Sequence, residues 1–518
     1  MAKAPITLVT KSTTRVAFGI ALAILFIQWG PLKAIAQTCP NAPLPATVSP
    51  TPPSDVCIPT GFGGNPIDFF DDFSWRSFIA MVWPVKPGMR GVPDASQNFG
   101  PVTGPLVFET FKADWEVFQP SPDGTSEPAA PSSWQSFAGQ SACRPIDVFT
   151  EVISDVISLV PFSSQPSISY PIFDGPKSIV QRSVPRDFAF GDLVLTSLSK
   201  FGNLGEAGFG NLVGFLPAQN RTYTRYATYF NQAEFNKILN DRLDLRKNFP
   251  VGLTFPNNSI DIKAAWMDMS GVPNPGRYYT RMAWVLNEFA SPPTCTKITV
   301  GLVGLHIVQK TASRPEWIWS TFEQIDNVPG GVSVGRFNYN DGTGTAMPAT
   351  NPDPFQSTPS ATPTIFNVER KTPINPSTVA TNQRYRTALQ ANGGPWQFYQ
   401  LVMTQWPIKP QPTSASGPAQ PPNTFPGTAP TSAFANVTME TFDQQSISTG
   451  CMSCHDVAGT DLVWSLAVNA WPSRLSPPSA RMHRRIARPF AATRGPASAA
   501  LPPELEKLKE LMQSGTAH

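Results

Sequence analysis

Charge is scarce in this chain. Asp, Glu, Lys and Arg make up 14% of its 518 residues, against about 25% in an average soluble protein. Histidine is rarer still, with 4 in the whole sequence, so a histidine-built metal centre has few ligands to draw on. After the first 36 residues no apolar run approaches the ~20 residues of a bilayer-spanning helix. No stretch repeats at a fixed period, which argues against a solenoid or propeller. The nucleophile elbow, the phosphate-binding loop, the dinucleotide fingerprint and the HExxH metalloprotease motif are all missing in their proper contexts.

What the chain does have in quantity is proline. It carries 57 prolines and 36 glycines, with proline at roughly twice its ordinary usage of about 5%. Yet 41% of the residues are hydrophobic and 11% aromatic, which excludes a wholly disordered or fibrous chain. The composition is that of a loop-rich globular protein, long enough for two or three domains.

The formal charge of +3 depends on the first 36 residues. Lys3, Lys11, Arg15 and Lys33 lie there with no acidic residue. Without them the chain is one charge negative, which gives no basis for nucleic-acid binding. The same stretch reads as a secretory signal over 1–36. A basic start leads into the apolar run Val16–Trp29, Gly30 and Pro31 break it, and Ala34-Ile35-Ala36 offers small residues before cleavage ahead of Gln37. An uncleaved signal anchor is the competing reading. Either way the protein is expected outside the cytoplasm, periplasmic or extracellular, and with the signal cleaved the mature chain is expected to have no transmembrane span.

Export makes disulfides the expected state of Cys39, Cys57, Cys143 and Cys295. Four cysteines allow three connectivities, and Cys39–Cys57 with Cys143–Cys295 is the local choice.

Periodicity predicts a helix over Asp71–Val82, with Trp75, Phe78, Ile79 and Val82 on one face and Asp71 and Asp72 at its positive end. A second helix is predicted over Leu106–Phe118 and a third over Gln232–Arg246, the latter opened by Asn231 and Glu234. The pattern then changes to strands: a half-buried one at Ile260–Ala264, a fully buried one at Lys297–Gln309, and Glu316–Ile325 as its antiparallel hairpin partner. A last helix is predicted over Pro503–Met512. The fold class expected is α+β, a central mixed or antiparallel sheet with surrounding helices, in a large domain over 37–406. A Pro-rich linker or loop follows over 407–432, then a small, mainly helical segment over 433–518.

That last segment holds the one sharp motif, Cys451-Met-Ser-Cys-His455. From this chain's own cysteine and histidine frequencies, a chance CxxCH is expected about 5 times in 10,000. Two thiols three residues apart lie on one side of a helical turn and can bond the two vinyl groups of a haem. The adjacent imidazole then sits beneath the iron. A structural disulfide leaves the histidine idle, a thioredoxin-like pair lacks its βαβ context, and a zinc site needs two further ligands.

On these residues the segment resembles the c-type cytochromes. The resemblance implies one covalent haem c, thioether-linked to Cys451 and Cys454, with His455 as the proximal iron ligand. The segment departs from a small monohaem domain in its many prolines and in lacking a methionine in a Pro-flanked loop. Met482, 27 residues after His455, and His306, the sole histidine before the motif, are the named candidates for the sixth ligand, with a vacant or unlisted position as the third alternative. Arg474, Arg481, Arg484, Arg485, Arg488 and Arg494 form an acid-free stretch that is either a solvated face or a surface for haem propionates or an acidic partner. Asp268, Glu316 and Glu323 are expected to be solvated strand-end charges, with acid–base roles as the sharper option.

The expected function is one-electron transfer outside the cytoplasm, with a redox partner protein. Two alternatives accompany it: a haem-dependent oxidoreductase or oxygenase with a small-molecule substrate pocket in the large domain, and a docking module for a redox complex. The large domain, rich in tryptophan, is expected to cover part of the haem, with the Lys297–Ile325 hairpin as the leading cover.

Overall fold

A computed structural model describes residues 39, 45–102, 104–119, 127–136, 157–160, 170–173, 188–195, 216–250, 252–287, 290, 294–330, 336–343, 361–408, 428–429, 435–441, 444, 451–455 and 460–471. The predicted signal over 1–36, Cys143, Met482, the arginine stretch from Arg474 and the helix over Pro503–Met512 lie outside these residues. So does nearly all of the proposed 407–432 linker.

The elements run in order as α1 (Ile67–Met81), β1 (Lys112–Ala113), α2 (Asp114–Val117), β2 (Ile157–Val160), β3 (Tyr170–Phe173), β4 (Leu193–Leu195), β5 (Arg225–Phe230), α3 (Gln232–Asp241), β6 (Ile260–Asp268), β7 (Thr280–Asn287), β8 (Thr294–Gln309), β9 (Ile318–Gln324), α4 (Pro376–Asn392), β10 (Tyr399–Pro407), β11 (Thr428–Ala429), α5 (Cys451–His455) and α6 (Trp464–Asn469). Nine of these strands make one sheet in the order β1-β5-β6-β8-β9-β10-β11, with β7 joining β8 and β4 joining β7. The β4–β7 pair is parallel and the others antiparallel. This is the mixed sheet of an α+β fold. Strands β2 and β3 form a separate antiparallel pair. Among the described residues no helix is long and apolar enough to cross a membrane.

Strand β8 organises the sheet. Its first half pairs with β7, its second half with β9, and β6 runs along its other edge. The uncharged run Ile298–Gln309 suits this central place, because both faces are covered. The hairpin expected from the sequence is there, from Gly304 opposite Glu323 to Gln309 opposite Ile318.

Register assigns the two faces, since residues directly opposite share a face and alternate along the strand. Ser320 and Thr404 face α1, where both hydroxyls meet Ser74 Oγ at 2.7 Å. Phe322 stacks there on Phe78, with ring centroids 4.4 Å apart. The opposite face presents His306, Trp319, Thr321, Met403 and Gln405.

Several boundaries differ from expectation. Helix α1 starts at Ile67, so Asp71 and Asp72 are not at its end but buried in its second turn. They are held by α4: Thr378 Oγ1 donates to Asp71 at 2.7 Å and Tyr385 Oη to Asp72 at 2.5 Å. The helix predicted over Leu106–Phe118 breaks at Phe111, which is extended, because Lys112–Ala113 pairs with β5. Helix α3 has the predicted cap, Asn231 Oδ1 accepting from the Glu234 amide at 3.1 Å. It ends at Asp241, however, where Arg242 turns left-handed (φ 51°). Strand β6 is longer than predicted and buried on both faces, Asp261 and Lys263 included.

Burial raises the Asp71 carboxyl from its ordinary range to about 7, against the lowering effect of hydrogen bonds from Thr378 and Thr404. A raised carboxyl contributes stability below its unfolded value of about 4 that is lost as pH rises through about 7. Asp71→Asn keeps the shape and removes the titration. Urea unfolding at pH 5 and pH 8 is therefore expected to show a smaller midpoint drop in D71N than in the parent; an equal drop refutes the assignment.

Candidate functional site

The CxxCH motif forms a single helical turn, α5, at the edge of the face that carries Trp319. Its amide at Met452 donates to Gln405 Oε1 of β10 at 3.0 Å, and the Met452 side chain is fully buried in the main core. Cys451 is half-buried and packs on Val402 and Met403. The side chain of Cys454 lies outside the described residues.

His455 is buried, and its ring lies 4.4 Å from that of Trp319 at an angle of 56°. Its Nδ1 lies 2.7 Å from the carbonyl oxygen of Leu462. A carbonyl oxygen only accepts, so Nδ1 carries the proton and donates it. In the neutral ring this leaves the lone pair on Nε2.

The Leu462 carbonyl is held in place by a strained stretch. Asp461 and Leu462 both have left-handed backbone, with φ of 54° and 70°, and so does Trp317 at 70°. These conformations are costly for residues with side chains and persist only where neighbours enforce them. Here the enforcement is visible. Trp317 Nε1 donates to the Asp461 carbonyl at 3.0 Å, while the Phe255 amide and Lys310 Nζ both donate to Asp461 Oδ2 at 2.7 Å. Leu462, Val463 and Leu466 complete the anchor by joining the main core.

The surroundings are acidic and dry. Burial pushes the Asp461 carboxyl upward while Lys310 pulls it down. Glu234 is fully buried, with neither carboxylate oxygen hydrogen-bonded among the described residues, and burial drives it well above the ordinary range, assisted by Asp261 and Asp461. Ser465 Oγ of α6 donates to Asp261 at 3.2 Å. Sequence reading missed Lys310 and Asp461 and took Glu234 only as a helix-capping residue. Lys310 and Asp461 carry no motif, and only folding brings the three together.

His306 shares a sheet face with Trp319 and lies 3.5 Å, through Nε2, from the Glu440 carboxylate. The segment 435–441 lies over that face: Asn436 Nδ2 donates to Thr321 Oγ1 at 2.9 Å, and the Val437 amide donates to Glu323. Glu323 is thus no solvated strand-end charge. It is fully buried and paired with Arg370. Glu316 is buried as well, and only Asp268 keeps an open strand-end position, where it caps the Ser270 amide at 2.7 Å. Cys39, Cys57 and Cys295 are each disulfide-bonded.

No family model, curated protein or solved structure matches the chain. Among the described residues no group of three or more His, Cys, Asp or Glu side chains is gathered as a metal site. A haem needs no such group from the protein, because its porphyrin supplies four nitrogens. What it needs here is two thiols on one turn and an imidazole whose outer nitrogen is fixed by an acceptor. The Nδ1–Leu462 bond fits the second requirement, and the helical backbone of Cys451–His455 has the spacing that the first one asks for.

Lys310 and Asp461 form a buried pair, and removing one partner of such a pair typically costs about 3–5 kcal/mol. Lys310→Met is therefore expected to lower stability strongly, and K310M/D461N to recover part of the loss. Urea unfolding of the two variants decides it: a double variant no more stable than K310M rules out the pairing.

Proposed function

We propose that the chain is an exported c-type cytochrome-like protein carrying one covalent haem c, and that it transfers single electrons outside the cytoplasm to or from a redox partner protein. Cys451 and Cys454 form the thioethers and His455 is the proximal ligand. The observation that carries this reading is the hydrogen bond from His455 Nδ1 to the Leu462 carbonyl at 2.7 Å. It selects the tautomer an iron ligand requires, within a motif whose residue order and spacing are those of haem attachment.

When bound, the haem supplies a one-electron iron couple. The rest is the work of this chain's own residues. The Leu462 carbonyl holds the His455 ring by its Nδ1 proton and keeps the Nε2 lone pair directed away from that bond. Trp319 lies beside the imidazole and limits its rotation. Lys310, Trp317 and the Phe255 amide hold Asp461, and through it the carbonyl of Leu462. Met452, Leu462 and Leu466 exclude water from the turn, which keeps local charge interactions strong. Export supplies the compartment in which haem is attached and in which Cys39, Cys57 and Cys295 are oxidised.

His306 and Met482 are the proposed alternatives for the sixth position. His306 has the sheet-face placement in its favour.

Two measurements test the reading. The protein, expressed with its leader in a host competent for cytochrome c maturation, is expected to keep haem stain on a denaturing gel after acid-acetone extraction, and C451A/C454A to lose it. An unstained parent band refutes covalent haem. His306→Ala is expected to shift the visible spectrum or the reduction potential; an unchanged spectrum and potential exclude His306 and leave Met482 or a position with neither ligand.

A further inference from the structure

A cleft of about 320 Å3 opens at the end of the sheet remote in sequence from the motif, between the turn joining β6 to β7, the 219–220 loop, Asp326 and residues 336–338. Its volume is at the small end of ligand sites. Met267, Val272 and Phe337 give it an apolar wall, while Gln219, Arg277 and Arg336 bring polar groups to it.

Most of those polar groups are already committed. Arg277 forks onto Asp326, Nε to Oδ2 at 2.6 Å and Nη2 to Oδ1 at 2.8 Å, and lies over the Phe398 ring at 4.1 Å. Tyr278 donates to Asn338 Oδ1 at 2.8 Å, and Gln219 Nε2 donates to the Phe366 carbonyl at 3.1 Å. These contacts fix the walls and leave them electrically balanced.

Arg336 is the exception. Its Nη2 donates to the Gln219 carbonyl at 2.6 Å, which anchors the side chain at the cleft without neutralising it. It forms no ion pair among the described residues. Asp341, whose carboxylate feels its charge, is bonded to Thr343 and Asn367 instead. The cleft therefore holds two guanidinium groups against one carboxylate, beside an apolar wall. A guanidinium with unused donors matches the planar, two-oxygen geometry of a carboxylate.

The geometry points to a binding site for a small organic monocarboxylate, its carboxylate on Arg336 and its apolar body against Met267, Val272 and Phe337. The site is independent of the haem reading. Benzoate serves as the probe, with benzamide as its uncharged isostere and inorganic phosphate as an anion without an apolar body.

Calorimetric titration of the full-length protein is expected to show saturable benzoate binding, with benzamide and phosphate each weaker by about tenfold or more, the scale of one charge-assisted contact. Arg336→Gln, at an exposed position, is expected to weaken benzoate by a similar factor with an unchanged circular dichroism spectrum. Val272→Asp, which sets a carboxylate into the apolar wall, is expected to abolish it. Absent benzoate binding, equal binding by R336Q, or phosphate binding as tight as benzoate overturns the proposal.

Discussion

The missing side chain at Gly304 is the constraint on which the motif-bearing face depends. A Cβ at that point of β8 would collide with Thr438 Oγ1 and press on Ala265 Cβ and Asn436 Oδ1, both at 3.4 Å. With glycine there, the 435–441 segment lies directly on the sheet and fixes itself by its own polar groups. Asn436 Oδ1 accepts from the Thr438 amide and hydroxyl, and its amide reaches Thr321 and the Phe322 carbonyl. Tyr226 Oη closes the other side by donating to the Thr438 carbonyl at 2.7 Å. The chain that arrives at Cys451 is therefore tethered fifteen residues earlier, on the strand that carries His306.

The two faces of the sheet solve the burial problem differently. Toward α1 and α4 the contacts are apolar aromatics laced with hydroxyls and amides. Trp75, for example, stacks on Tyr385 at 5.1 Å and donates to Asn382 Oδ1 at 3.0 Å. Asp71, Asp72, Ser74 and Asn382 all find hydrogen-bond partners in this layer, which favours one packing over others. Toward α5 and α6, carboxyl groups outnumber their cationic partners: Glu234, Asp261 and Asp461 lie near Lys310. Burial, with Asp261 and Asp461 nearby, pushes the Glu234 carboxyl well above its ordinary range, and Lys310 pulls it back.

Sequence reading reached the elements whose signals are local. The β8–β9 hairpin, the Asn231 cap and the CxxCH turn all follow from residues within a few positions of one another. It failed where partners come from far along the chain. Helix α4 shows no strong apolar stripe, because its inward face is Thr378, Asn382 and Tyr385, and these are burial-worthy only opposite Asp71, Trp75 and Asp72. The apparent helix at Leu106–Phe118 had the right spacing of aromatics, but pairing with β5 overrode it. Lys263 read as solvent-facing from alternation, and a covered second face made it buried. At the site, motif spacing singled out Cys451, Cys454 and His455, while the Leu462 carbonyl and its supports at Lys310 and Trp317 had no sequence signature at all.

The size of the protein relative to its motif follows from the same contacts. Cys451 through His455 make barely more than one turn of helix, and the sequence after Trp471 is rich in proline. Met452, Leu462, Val463 and Leu466 instead enter the core that α1, β6, β8 and β9 already form. Cooperative burial then links the geometry of His455 to the stability of the whole sheet, since the residues that fix the Leu462 carbonyl are sheet and loop residues more than a hundred positions away. A cofactor held by this turn would have its proximal side defined by the large domain and not by a separate small one. In a carrier of single electrons, that is an economical way to keep the ligand geometry the same in both redox states, because reorganising it would require moving a packed core.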